Sequence, residues 1–183
     1  MVYILLADGF EEAEALVPAD LLRRAGVSVA LTAADPAASS VTGAHSITVQ
    51  ADTAASGISL QPGDMVLLPG GFGGVEGMAR SESAVRLIRA ANRPDCWIAA
   101  ICAAPTLLGT LGLLDGRKAV CYPGMEDGLT GGLPCPGQSV VRDGMLITGE
   151  GPGAAFSFGL ALVEALCGTQ TAQQVRHAAC YRG

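Results

Sequence analysis

Residues 97–109 read WIAAICAAPTLLG: an apolar, β-rich run that ends at Cys102 and passes without a spacer into small, helix-favouring residues. A strand feeding directly into a helix is the repeating unit of a parallel α/β sheet. Where such a turn presents a nucleophile, only small side chains fit two positions before and after it. Ala100 and Ala104 occupy those positions, and Pro105 falls in the first helical turn, where its missing N–H costs nothing. This spacing places the sulfur over a helix N-terminus, where the dipole and free N–H groups favour thiolate. The same residues also suit a packed core cysteine, because free cysteine is among the most buried residue types.

The strand-then-helix alternation continues on both sides. VYILLA (2–7) is a short apolar strand, followed by a helix from Glu11 to about Ala25 that Gly26 stops. VSVALTAA (27–34) is a second strand, and SSVTGAHSITVQAD (39–52) a two-stranded excursion around Gly43. DMVLLPGG (64–71) is a buried strand running into a glycine loop, and SESAVRLIRAAN (81–92) is an amphipathic helix with Ser81 as its N-cap. RKAVCYP (117–123) reads as a strand and QSVVRDGMLIT (138–148) as a hairpin turning at Asp143-Gly144. GAAFSFGLALVEALCG (153–168) is the final long helix, and the Pro/Gly-rich residues 123–138 form an irregular surface loop.

Apolar strands without alternation, separated by helices, specify a mostly parallel sheet covered on both faces, with all 183 residues in a single domain. In such sheets ligands bind at the carboxyl ends of the strands, which gathers residues 8–14, 69–74 and 102–105.

Half of the residues are hydrophobic and 4% aromatic, so the core is built from Ala, Val, Leu and Ile. A formal charge of −6 and the lack of any basic cluster argue against nucleic acid or an anionic membrane as the main partner. The opening apolar run is too short to span a membrane and follows no basic region, which leads to the expectation of a cytoplasmic protein. The six cysteines form no C-x-x-C pair and have only His45 and His177 as companions, so they read as free thiols and not as a metal site.

Two further features converge on Cys102. In GFEEAEALVPADLL (9–22), Glu11 and Glu12 lie in the first helical turn, where the helix dipole accounts for them. Glu14 instead shares a helical stripe with Val17, Leu21 and Ala25, so burial is expected to raise its pKa toward neutrality. Protonated, it can donate a hydrogen bond to a neighbouring thiolate. Pro18 cannot donate to the Glu14 carbonyl, and a loosened or kinked helix is expected there. In LLPGGFGG (67–74), Gly70 and Gly71 can turn their N–H groups toward an oxyanion. That loop does not fit a dinucleotide fingerprint, because Glu76 stands where the last glycine belongs.

LADGFEEAEALVPADLLRRAG (6–26), VLLPGG (66–71), AAICAAPTLL (99–108) and GEGPGAAFSFGLALVEALCG (149–168) resemble the ThiJ/PfpI superfamily in the same order and over essentially the whole chain. Within it, the similarity points to the subgroup of the human parkinsonism-associated deglycase and bacterial YajL-like proteins. The resemblance implies a flavodoxin-like α/β/α sandwich of the class I glutamine-amidotransferase type, usually a homodimer. It further implies cofactor-independent chemistry on small 2-oxoaldehydes, of the glyoxalase III or deglycase kind, such as methylglyoxal to lactate. By it, Cys102 matches the family's reactive, oxidation-sensitive cysteine and Glu14 the glutamate that hydrogen-bonds it. Gly71 and Ala103 match the backbone donors beside the sulfur; Gly151 and Pro152 match a pocket-lining loop, with Gly70 and Tyr122 beside it.

Two departures bear on activity. The superfamily's proteolytic members carry histidine directly after the cysteine, where this chain has Ala103. Deglycase-like members often place histidine before a proline, where this chain has Tyr122-Pro123. The Cys–His couple of thiol hydrolases is therefore not expected, which disfavours peptidase or amidase activity. The competing expectation is a stress protein in which Cys102 stops at sulfinate without turnover.

Overall fold

Successive side chains of a strand point to opposite faces of a sheet. In the computed structural model, which describes residues 1–183, that alternation builds two cores. Ile4, Leu6, Met65, Leu67, Ala99 and Ile101 face one of them; Leu5, Val66, Leu68, Ile98 and Ala100 face the other.

The chain runs β1 (Val2–Leu6), α1 (Glu12–Arg24), β2 (Val29–Ala33), β3 (Ser40–Thr42), β4 (Thr48–Gln50), β5 (Thr53–Ala54) and β6 (Met65–Leu68). It continues through α2 (Phe72–Arg80), α3 (Glu82–Ala91), β7 (Trp97–Ile101), α4 (Ala104–Thr110), β8 (Lys118–Ala119) and β9 (Leu133–Pro134). The hairpin β10 (Val140–Asp143) and β11 (Leu146–Gly149) precedes α5 (Ala155–Cys167) and α6 (Thr169–Ala178). Seven strands share one sheet in the order β10-β11-β7-β6-β1-β2-β5. Only the β10–β11 pair is antiparallel. Helices α1, α5 and α6 pack on the first core, and α2, α3 and α4 on the second. The expected α/β/α sandwich with a mostly parallel sheet is what the chain forms.

Several local readings are corrected. The glycine loop after β6 is in large part a helix, α2. Its glycines are poor helix formers, but they let the helix lie against the β1–α1 loop. A Cβ on Gly74 would stand 2.7 Å from Phe10 Cα, and one on Gly77 would stand 2.6 Å from Ala7 Cβ. The strand read at 117–123 shrinks to Lys118–Ala119, which pairs with β9 outside the main sheet. The hairpin turns at Gly144 and Met145, since Asp143 is itself paired with Leu146. A further helix, α6, follows Gly168, whose φ of +85° ends α5. Helix α1 remains one element through Pro18, which is buried and packs against Gly159 of α5. Ser81 caps α3 as expected, its Oγ accepting the Ala84 N–H at 3.2 Å.

Candidate active site

Cys102 follows β7 with φ of +64°, in the left-handed region that side chains other than glycine rarely adopt. Such a conformation costs roughly 1–3 kcal/mol, so the surroundings must hold it. They do so through the backbone: its N–H donates to Gly149 O at 3.0 Å, and its carbonyl accepts the Tyr122 N–H at 2.9 Å. Ala100 and Ala104, both fully buried, supply the room that the turn needs. The side chain itself is half-buried and its thiol is free.

Glu14 reaches the same place from the first turn of α1 and is 0% exposed. Its Oε2 accepts the Gly70 N–H at 2.7 Å, while its Oε1 has no hydrogen-bond partner. A buried carboxyl oxygen without a partner is rare and calls for a proton or a ligand. Gly70 cannot be anything larger: a Cβ there would lie 2.6 Å from Glu14 Oε2, 2.7 Å from Cys102 Cβ and 3.0 Å from Cys102 Sγ. This corrects one expectation. The Gly70 N–H is committed to Glu14 and is not available to an oxyanion. The N–H groups of Ala103 and Gly71 face the sulfur instead. Gly71, at φ of +82°, has no space for a Cβ either, since one would stand 2.3 Å from Gly9 O.

The electrostatics couple the two side chains. Burial pushes the Glu14 pKa up to about 7, against the Gly70 hydrogen bond and the neighbouring Cys102 thiol, which pull it down; the Glu11 charge pushes it further up. Burial also pushes the Cys102 pKa up, to about 12, aided by the nearby Glu14 carboxylate. The Ala103 and Gly71 N–H groups act in the opposite direction but do not prevail. The expected resting thiolate is therefore corrected. Helix α4 has only seven residues, and its end does not outweigh desolvation plus a facing carboxylate. Burial and the Glu14 charge thus favour the thiol, with Glu14 the neighbouring carboxyl placed beside it.

Beside the turn lies a cavity of about 560 Å³ lined by Tyr122, Pro123, Ser139, Glu150 and Gly151 among others. The Tyr122 ring stands over Gly151, 3.3 Å from where a Cβ would be, and Tyr122 is 45% exposed. Pro152 opens the short turn Pro152–Ala154 but does not line this cavity. Glu150 was not among the residues expected there; its position next to Gly151 was the available signal.

Sequence reasoning also missed the role of Glu12. Its carboxyl is 6% exposed and accepts the His45 N–H at 2.7 Å and pairs with His45 Nδ1 at 2.8 Å. Glu11 Oε1 lies 3.7 Å from the same ring nitrogen. These groups clamp the turn of the β3–β4 hairpin to the start of α1. No helix of the chain is long and apolar enough to cross a membrane.

A cysteine at φ of +64°, a buried carboxyl and the loops after three parallel strands thus come together at one end of the sheet of an α/β sandwich. The chain belongs to the DJ-1/PfpI family, whose pattern matches residues 1–165. It is 36% identical over 173 residues to protein dj-1beta of Drosophila melanogaster, covering 94% of this chain and 92% of that protein. A deglycase of Pyrococcus abyssi is 30% identical over 158 residues, covering 86% and 93%. Among solved structures, an oxidised DJ-1 of Toxoplasma gondii has a TM-score of 0.92 at 30% identity, covering 100% of this chain and 98% of its own.

Proposed function

We propose that the protein is a cofactor-independent thiol enzyme for small 2-oxoaldehydes, of the glyoxalase III or deglycase type. The observation that carries this reading is the Glu14 carboxyl, buried against Cys102 with one oxygen held by Gly70 and the other unpartnered. The name of the Pyrococcus abyssi relative supports it.

The thiol adds through sulfur to the aldehyde carbon while Glu14 takes its proton, so no free thiolate need accumulate. The aldehyde oxygen becomes an oxyanion near the Gly71 and Ala103 N–H groups, and Glu14 returns the proton to it. Glu14 then carries the hydrogen of the hemithioacetal carbon, as a proton, to the adjacent carbonyl carbon, while the hydroxyl proton passes to the former carbonyl oxygen. This leaves a 2-hydroxyacyl thioester on Cys102. Water cleaves the thioester, restoring the thiol and releasing the 2-hydroxy acid. The sum is one water added to one 2-oxoaldehyde.

The test is lactate formation from methylglyoxal by metal-free protein. Cys102→Ser and Glu14→Gln are each expected to lower kcat/KM by at least about a hundredfold. Wild type no faster than Cys102→Ser would remove the reading.

The oxidised state of the Toxoplasma gondii structure favours a second use of the same sulfur. Two equivalents of peroxide would convert the Cys102 thiol to sulfinate with release of two waters, the protonated Glu14 bonding the new oxygens. Intact-mass and peptide analysis after mild peroxide tests this. Two oxygens gained preferentially at Cys102 support it, and uniform oxidation of all the cysteines counts against it.

A further inference from the structure

Glu150 is the only charged side chain lining the cavity beside the cysteine turn; no lysine, arginine or histidine lines it. Its N–H is bonded to Ser139 O at 3.0 Å, which fixes it on the wall at the end of β11. The residue before it, Gly149, accepts the Cys102 N–H, and the backbone N–H of Tyr122, another lining residue, donates to the Cys102 carbonyl. Neither Cys102 nor Glu14 lines the cavity itself, but the two segments hydrogen-bonded to the Cys102 backbone form its walls. Glu150 is half-buried and forms no ion pair within the chain, so no cation of the chain compensates its charge.

A lone carboxylate on a partly desolvated wall attracts a cationic group and repels an anionic one. We propose that Glu150 is a specificity-determining residue. It admits aldehydes that carry a positively charged substituent and turns away those carrying carboxylate or phosphate. The inference rests on the reading of Cys102 as the nucleophile for 2-oxoaldehydes, and its test separates the two.

The first arm needs no turnover. Cationic 2-(trimethylammonio)ethyl and anionic 2-sulfonatoethyl methanethiosulfonate each transfer their thioalkyl group to a thiol, forming a mixed disulfide and releasing methanesulfinate. Rates at Cys102 are followed by peptide mass and normalised to free cysteine. Wild type is expected to favour the cation by roughly tenfold. Glu14 and Glu11 keep some preference for the cation, so Glu150→Gln should shrink the ratio several-fold and Glu150→Lys should shrink it further. An unchanged ratio in all three proteins overturns the inference.

The second arm measures kcat/KM for phenylglyoxal and its para-trimethylammonio and para-carboxylate derivatives, each taking up one water to give the mandelate. The same order, with the same dependence on residue 150, is expected. Charge-selective thiol exchange without mandelate from any of the three retains the Glu150 assignment and removes the enzyme reading. Mandelate formed equally from all three, with a thiol ratio insensitive to residue 150, does the opposite.

Discussion

Gly70 donates its backbone N–H to Glu14 Oε2 at 2.7 Å, and no side chain fits on that glycine without meeting Glu14 or Cys102. One residue thus orients the carboxyl and leaves the space in which carboxyl and thiol meet. Gly70→Ala is therefore expected to displace the pair. Overpacking of this kind destabilises by about 1–3 kcal/mol. The sharper effect is on the site, with Cys102 alkylation and methylglyoxal turnover changed by at least about tenfold. A variant with wild-type kinetics would show that Gly70 does not position Glu14.

Glu14 sets the pH dependence. Its carboxylate is the form that accepts the thiol proton, so kcat/KM should rise with pH up to about 7 and level off above it. Glu14→Gln should lose that limb of the profile. A profile that keeps the same inflection in Glu14→Gln assigns it to another group.

The stability of the same variant should move the opposite way. The folded-state pKa of about 7 lies above the ordinary 4.5, so the folded state holds the extra proton between these values. Wild-type stability should fall as pH rises through that window, by about 3 kcal/mol in total. Glu14→Gln removes the buried charge and is expected to be the more stable protein at about pH 8 and the less active one. Urea denaturation at two pH values checks this.

The Glu12–His45 clamp titrates at both ends. The His45 pKa is raised, first by its hydrogen bond to Glu12, so its contribution is complete below the ordinary 6.5 and is lost as pH rises through the higher folded value. Burial pushes Glu12 upward, but hydrogen bonds from His45 and the Ile47 backbone outweigh it and the net pKa is lowered. Its contribution is present above the ordinary 4.5 and fades as pH falls through the lower folded value. His45→Ala should shrink the thermal-midpoint advantage in mildly acidic buffer and leave the alkaline midpoint nearly unchanged. Midpoints recorded across pH decide it.

Gly74→Ala and Gly77→Ala should each destabilise the fold by about 1–3 kcal/mol, although alanine is the better helix former by up to about 1 kcal/mol. The reason is the close approach of α2 to Phe10 and Ala7. Gly153, whose added Cβ would meet nothing within 4 Å, provides the neutral comparison. Denaturant midpoints of the three variants check the contrast.

The parallel sheet, its strand ends and the burial of Glu14 were legible because each rests on local pattern: apolar runs, a small-residue turn and a carboxylate on an apolar stripe; the pairing of Glu14 with Cys102, 88 positions away, came from the family resemblance. Helix α2 was not legible. Its three glycines are unfavourable for helix in isolation and become useful only against the backbone of the β1–α1 loop. Glu12 read as a dipole residue because its partner, His45, lies 33 positions away.

The order of residues by itself determined where strands feed into helices, which acid faces the core, and which cysteine stands on a turn, since these follow from side-chain size and period. Only the tertiary structure decided how burial raises the pKa values of both Glu14 and Cys102, and that Glu150 is the one charged side chain on the cavity wall. Desolvation and Coulomb interaction depend on distance through space, and the groups that set them come from β1–α1, β6–α2, β7–α4 and β11 at once.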